Sequence, residues 1–376
     1  MAASFWNPSS VEAGAVLFGD GTINNIDFHR EGRYMVVTTK ENSLYLVDAL
    51  TGVEKKKLFT KSHGIGKVRY THHESCVLMT SGQSKEQPEH VRDKNNCDIR
   101  YMCMHDNRYL RYFKGHTDKV TSISMSPTDD YFLSASLDRT ICLWSLNSPN
   151  PVARIKLPNE VSNPIVQYDP SGLVFGVQVQ AHDAYGGMHH ELHMFDTSKI
   201  SDVGTPFMDI VNDQVGIETA VTKALQRAGH PNPSKQYVSN LIKTSWQDFE
   251  FSADGRRALI NMPSGVLLVV DTQSEEVTED PVAIYNCASI GFTERSDLSF
   301  GATFSCDGAH VIAGNDDNDV KIYDASLGHN ATGSTKNSLT GHVETVGAVK
   351  CNPQYDVMAS GCVNTVLWIH GEESED

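Results

Sequence analysis

The chain has 376 residues, long for one compact core and ordinary for a set of stacked repeats. Its 31 basic and 47 acidic residues leave a formal charge of −16, which argues against direct nucleic-acid binding, because that needs a basic stripe to displace counterions. No apolar run reaches the roughly 18 residues of a membrane span. The 8 cysteines form no CxxC pair, and the opening MAASFWNPSS has no charged segment ahead of an apolar one, so the expectation is a reducing compartment and no signal peptide.

In chain order, the first predicted element is AGAVLF at 13–18, an outer strand with no partner close by in sequence. From there one landmark recurs, the end of a strand and the turn after it. It reads IDFHREG (26–32), VRYTHHE (68–74), ISMSPTD (123–129), VQYDPSG (166–172), FEFSADG (249–255), ATFSCDG (302–308) and VKCNPQY (349–355), spaced by 42, 55, 43, 83, 53 and 47 residues. The shorter spacings match a repeat of roughly 40–45 residues. Each copy runs on into a second strand, such as YMVVTT or YFLSAS, and after a turn into a third: LYLVD, DIRYMCM, ICLWS, LHMFD, LLVVD, VKIYD and VLWIH. Such a unit cannot bury both of its apolar faces alone, so the copies must stack.

Two stretches break the spacing. Residues 83–96 are polar and charged and read as a loop insertion in the second copy. Residues 209–243 read as a helical insertion between the fourth and fifth; within 213–229, Val215, Val221 and Leu225 share a face, Asp213 can cap the start, and Gly229 with Pro231 can end it. The tail GEESED (371–376) is acidic and expected to be disordered. The Asn330-Ala331-Thr332 sequon has no role without secretion. The predicted fold is all-β, a seven-bladed β-propeller over 13–370, with 13–18 completing the last blade, whose own chain ends at Trp368-Ile369-His370.

The third copy carries the sharpest signature. His116, Ser136, Asp138 and Trp144 match the hydrogen-bonded set of a WD repeat, which makes the propeller a WD40 one. The expectation is that Asp138 accepts from His116 and that the Ser136 hydroxyl links His116 to the Trp144 indole, giving each buried polar group a partner. A Ser136-His116-Asp138 catalytic reading lacks any oxyanion-hole feature and is set aside. His189, Glu191 and His193 would share one strand face, as zinc ligands can, but they lack HExxH spacing and read as a solvated strand edge. No cofactor motif is present. Positive charge gathers at Lys55-Lys56-Lys57 with Lys61, and at Arg100, Arg108, Arg111 and Lys114, where an acidic or phosphorylated peptide could dock. By position in the blade pattern, Lys67 and Arg69 of the second blade and Lys119, Thr121 and Leu137 of the third are candidate partner contacts.

From Asp98 to Asn150 the chain resembles a narrower family, the WD-repeat-containing protein 82 (Swd-two) family. The resemblance rests on Ile99-Arg100-Tyr101, His105-Asp106-Asn107, Arg111-Tyr112-Phe113, Gly115-His116, Met125-Ser126-Pro127, Ser136-Leu137-Asp138 and Leu143-Trp144. It implies a non-catalytic nuclear scaffold in one of two assemblies. One is a COMPASS-type histone lysine methyltransferase. The other contains protein phosphatase one with a PNUTS-like targeting subunit and acts at transcription termination; a link to the phosphorylated tail of RNA polymerase II is also implied. The insertions, Ser145 in place of the Asp that follows Trp, and the acidic tail depart from the family pattern and tilt the expectation slightly toward the phosphatase assembly. Competing readings are another WD40 adaptor, such as a ubiquitin-ligase substrate receptor or a ribosome-associated scaffold, and a propeller enzyme.

Overall fold

The computed structural model describes residues 7–60, 63–82, 97–182, 188–200, 204–211, 214–227, 232–242, 246–262, 265–273, 283–286, 300–315, 317–325 and 335–371. Strand β1 (Val11–Phe18) comes first. Blade one follows with β2 (Ile23–Phe28), β3 (Tyr34–Thr39), β4 (Ser43–Asp48) and β5 (Val53–Phe59). Blade two has β6 (Val68–Tyr70), β7 (Cys76–Thr80), β8 (Ile99–Cys103) and β9 (Arg108–Phe113). Blade three has β10 (Val120–Met125), β11 (Tyr131–Ser136), β12 (Thr140–Ser145) and β13 (Ala153–Lys156). Blade four has β14 (Val161–Tyr168), β15 (Val174–His182), β16 (Met188–Asp196) and β17 (Met208–Val211). Helices α1 (Gln214–Arg227) and α2 (Lys235–Ile242) come next. Blade five has β18 (Asp248–Phe251), β19 (Arg257–Asn261), β20 (Val266–Asp271) and β21 (Ala283–Asn286). Blade six has β22 (Ala302–Phe304), β23 (His310–Gly314), β24 (Asp319–Asp324) and β25 (Thr335–Thr340). Blade seven has β26 (Ala348–Cys351), β27 (Val357–Gly361) and β28 (Asn364–His370).

All seven sheets are four-stranded, and their order follows the chain except in the last, where β1 is the fourth strand beside β28. That pairing is antiparallel from Val11 opposite His370 to Phe18 opposite Asn364. The number and order of strands are those of a seven-bladed β-propeller. The predicted closing strand is therefore present, beginning at Val11 rather than at residue 13.

One compact unit, Gly19–Gly186 with Leu192–Asp209, holds most of blades one to four. Its cores lie between sheets. In β11, Phe132 packs into a cluster with Phe113, Val120 and Trp144, and its neighbour Leu133 into another with Val166, Tyr168 and Phe175. Both faces of the strand are buried, so Phe132, Leu133 and Ala135 do not alternate with exposed residues, and Ser134 and Ser136 are buried with them. Each large apolar side chain so buried contributes about 1.5–3 kcal/mol. Side chains of the first strands staple blade to blade. Asn25 and Asp27 accept the amides of Val68 and Tyr70 at 3.2 and 2.7 Å. The hydroxyls of Ser122 and Ser124 accept those of Val166 and Tyr168 at 2.8 and 2.9 Å. The turn glycines Gly172 and Gly255 hold φ of 73° and 70°, where a side chain would be strained.

The second unit comprises β1, a short run ending at Glu191, and the chain beyond Ile210. Here Glu250 of β18 accepts from the Thr303 hydroxyl of β22 at 3.0 Å and pairs with Lys350 of β26 at 2.8 Å. The insertion differs from the expected single helix. Its first residues form β17, the fourth strand of blade four, and α2 follows α1. Val221 and Leu225 of α1 and Val238 of α2 are buried. The Val215 side chain, Asp213, Gly229, Pro231, the 83–96 loop, the sequon, Cys287 and the tail beyond Gly371 lie outside the described residues.

Candidate functional site

Blade three builds a polar brace into its core. The loop entering β10 presents His116, whose Nδ1 lies 3.1 Å from Asp138 Oδ2 in the β11–β12 turn. The same carboxylate oxygen accepts the Thr117 amide at 2.8 Å, and its other oxygen accepts from Thr140 Oγ1 at 2.6 Å. His116 Nε2 lies 2.7 Å from a serine hydroxyl that also accepts the Trp144 indole N–H at 2.8 Å. That serine is Ser134, not the Ser136 expected from the sequence. Ser136 donates to the Asp118 carbonyl at 2.9 Å and accepts the Asp138 amide at 3.2 Å. Phe132, Ser134 and Ser136 all turn to one face of β11, so periodicity of two cannot choose between the serines. The register does: Ser134 lies opposite Cys142 and Phe132 opposite Trp144.

The brace joins the entering loop to the turn electrostatically. Burial by itself lowers the His116 pKa, but the bonds to Asp138 and Cys142 outweigh it and push the imidazole up to about 9. Burial would raise Asp138; bonds from His116 and Thr140 hold it well below the carboxylate range. Ser134 is fully buried, so no substrate reaches it. Ser134→Ala is expected to cost about 2–3 kcal/mol, because it leaves both the Trp144 N–H and His116 Nε2 unpaired, whereas Ser136→Ala costs about 1 kcal/mol. Urea unfolding of the two variants checks this, and equal losses would return the brace to Ser136.

Blade two replaces the brace with Arg100. This side chain, grouped with surface charges by the sequence reading, is 1% exposed and donates to the Gly64 and Thr80 carbonyls, both at 3.0 Å, with Tyr109 beside it at 5.8 Å. It ties the loop entering β6 to the end of β7, the task His116 performs in blade three.

The predicted contact residues divide into two groups. Thr121 donates to the Ala135 and Pro164 carbonyls. Arg69 donates to Asn25 Oδ1 at 3.4 Å and the Val68 carbonyl at 3.1 Å. Arg111 donates to the Leu146 carbonyl. These three serve the blades themselves. Lys67, half-buried, gives its amide to Thr80 Oγ1 at 2.8 Å, and exposed Arg108 begins β9, the fourth strand of blade two.

Lys119 and Leu137 do come together, since the Leu137 amide donates to the Lys119 carbonyl at 2.9 Å and both side chains are exposed, Leu137 to 40%. Beside them is a residue the sequence reading passed over, exposed Arg139. Its φ is +63°, in the left-handed region that costs a residue with a Cβ about 1–2 kcal/mol. The corresponding turns of blades one, five and six place Asn42, Gly265 and Asn318 there, residues that tolerate this conformation. The Arg139 guanidinium donates to the Asn159 carbonyl at 3.3 Å, which holds this cationic side chain at the turn tip beside the exposed leucine. At the zinc candidate, His189 Nε2 pairs with Glu191 Oε1 at 2.9 Å, while the intervening His190 is buried and stacks on Trp246 at 4.6 Å.

Sheets of four antiparallel strands, seven in number, with a His–Asp–Ser–Trp brace, define a WD40-repeat propeller. A model of the WD domain, G-beta repeat, matches residues 107–145, which hold this brace, and 296–324. WD repeat-containing protein 82 of Drosophila melanogaster is 30% identical over 96% of this chain and 94% of its own. Set1 complex component swd2 of Schizosaccharomyces pombe is 33% identical over 50% of this chain and 48% of its own. COMPASS component SWD2 of Saccharomyces cerevisiae is 24% identical over 81% and 77%. The chain belongs to the WD repeat-containing protein 82 family.

Proposed function

We propose that the chain is a non-catalytic scaffold subunit of a nuclear Set1/COMPASS-type complex, the histone lysine methyltransferase assembly that the family resemblance implies. Two relatives carry the names of such components, and they favour this assembly over the phosphatase one. The scaffold works by rigid presentation. The β11–β12 turn is locked from beneath by Asp138 and His116, so Leu137, Lys119 and Arg139 meet a partner already ordered, and little conformational entropy is lost on binding. The observation that carries the reading is this exposed leucine flanked by two cations on a chain of net charge −16. A matching segment has one apolar side chain with acidic flanks.

Leu137→Glu and Lys119→Glu are expected to weaken partner binding by at least about tenfold each, the size of an interface contact worth over 1 kcal/mol. Arg139→Asn is expected to weaken binding by a similar factor while leaving the melting temperature unchanged or slightly higher. Calorimetric titration with the co-purifying partner, alongside thermal melts, measures both. Full affinity in all three variants would remove this turn from the interface.

A further inference from the structure

Blade seven carries a second brace, built differently. His342 Nε2 lies 2.6 Å from Ser360 Oγ, which accepts the Trp368 indole N–H at 2.6 Å, matching His116, Ser134 and Trp144. The turn that should supply the aspartate is two residues shorter. From the brace serine to the tryptophan there are ten positions in blade three (Ser134 to Trp144) and eight in blade seven (Ser360 to Trp368). What faces His342 Nδ1 instead is Cys362 Sγ at 3.3 Å and Asn364 Oδ1 at 3.2 Å. The Cys362 thiol donates to Asn364 Oδ1 at 2.8 Å, and Asn364 Nδ2 donates to the Gly341 carbonyl at 3.2 Å, which fixes the amide's orientation. Asn364 thus takes the role of Thr140, and Cys362 that of Asp138.

We propose that blade seven holds a thiol-dependent brace: Cys362 stands where blade three has its carboxylate, so oxidation of this one sulfur by a hydroperoxide releases His342 and loosens the sheet that joins the two ends of the chain.

The chemistry is set by what surrounds the sulfur. Of the seven described cysteines, only Cys142 and Cys362 adjoin a brace histidine, and the His116 Nδ1 beside Cys142 is already held by Asp138. Burial alone raises a thiol, as it does for Cys76 and Cys306, both pushed up to about 11. At Cys362 the His342 bond and the amides of Asn364, Val343 and Glu344 outweigh burial and bring the thiol down to about 6. Cys362 itself is 1% exposed, and Val343, next to the brace histidine in the chain, is 65% exposed.

In the oxidation step the Cys362 sulfur attacks one peroxide oxygen. An S–O bond forms as the O–O bond breaks, and sulfur gives up two electrons. The thiol proton leaves the sulfur and is taken up by the departing hydroxide, so the products are a sulfenic acid and water. The sulfenic acid is larger and polar and no longer offers the S–H donor to Asn364. Because β28 pairs with β1, the loss falls on the pairing of the chain's ends.

The test treats the full chain with hydrogen peroxide, maps oxidised cysteines by mass spectrometry and records melting temperatures. Cys362 is expected to oxidise about tenfold faster than partly exposed Cys103, and the melting temperature to fall by roughly 2–4 °C or more. The Cys362→Ser protein should show no peroxide-dependent shift. His342→Gln should slow Cys362 oxidation about tenfold, a readout that survives if the serine variant folds poorly. Oxidation of Cys362 no faster than Cys103, an unchanged melting temperature after its oxidation, or a rate indifferent to His342→Gln would each overturn the proposal.

Discussion

Trp144→Ala is expected to cost about 3–5 kcal/mol, the usual loss for a buried tryptophan, and to lower the urea midpoint more than any other single truncation in blade three. The side chain is fully buried. It stacks on Phe132 with centroids 6.0 Å apart and meets Phe113 edge-on at 5.6 Å, and so ties blade three to the fourth strand of blade two. Its removal opens a cavity between two sheets and leaves Ser134 without its indole donor. The two losses add in one direction, because the cavity is lined by strands that cannot collapse without breaking ladder bonds. Trp144→Phe should recover most of the packing and retain only the hydrogen-bond loss of about 1 kcal/mol. A Trp144→Ala protein within about 1 kcal/mol of the parent would mean that the blades do not share this core.

The second large effect depends on pH. Asp138→Asn removes the charged partner of His116, and the deficit should change across the pH range. His116 sits at about 9 in the folded protein against an ordinary 6.5. A raised pKa means that its contribution is complete below about pH 6.5 and is lost as the pH climbs toward 9. Asp138 sits below its ordinary 3.8. A lowered pKa means that its contribution is present above about pH 4 and is lost as the pH falls. The parent should therefore exceed the variant most between about pH 4 and 6.5, by on the order of 3 kcal/mol, with the gap narrowing toward pH 9. Thermal melts of both proteins at half-unit intervals check this. A gap independent of pH would show that the pair contributes through shape and not charge.

The propeller was legible because the second strand of each blade buries both faces. Val36, Phe132, Val177 and Val311 all fall in apolar runs of the right length, and turn glycines such as Gly172 punctuate them. The closing strand was legible for a different reason, since AGAVLF has no partner near it in sequence. The brace was only half legible. His116, Asp138 and Trp144 are distinctive types at distinctive spacings, but Ser134 and Ser136 share a face, and only pairing register separates them. Blade seven's brace was partly legible, in Gly341-His342, Trp368 and Asn364, but a shortened turn without Asp hid the part played by Cys362. Arg100, Arg111 and Thr121 looked like surface chemistry because nothing in a sequence marks a guanidinium or hydroxyl that will meet a carbonyl from a neighbouring strand or turn. The four residues of β17 and the eight of α2 were too short to carry a period of their own.

The proposed scaffold holds a chromatin-modifying assembly by its blade-three turn. The most direct measurement is affinity purification of the tagged full chain and of its Leu137→Glu variant from nuclear extract, with quantitative mass spectrometry. The account predicts Set1/COMPASS-type subunits with the parent and their depletion by about tenfold or more with the variant, whose melting temperature stays unchanged. Recovery of protein phosphatase one with a PNUTS-like subunit, or of ubiquitin-ligase or ribosomal proteins, in place of methyltransferase subunits would contradict it.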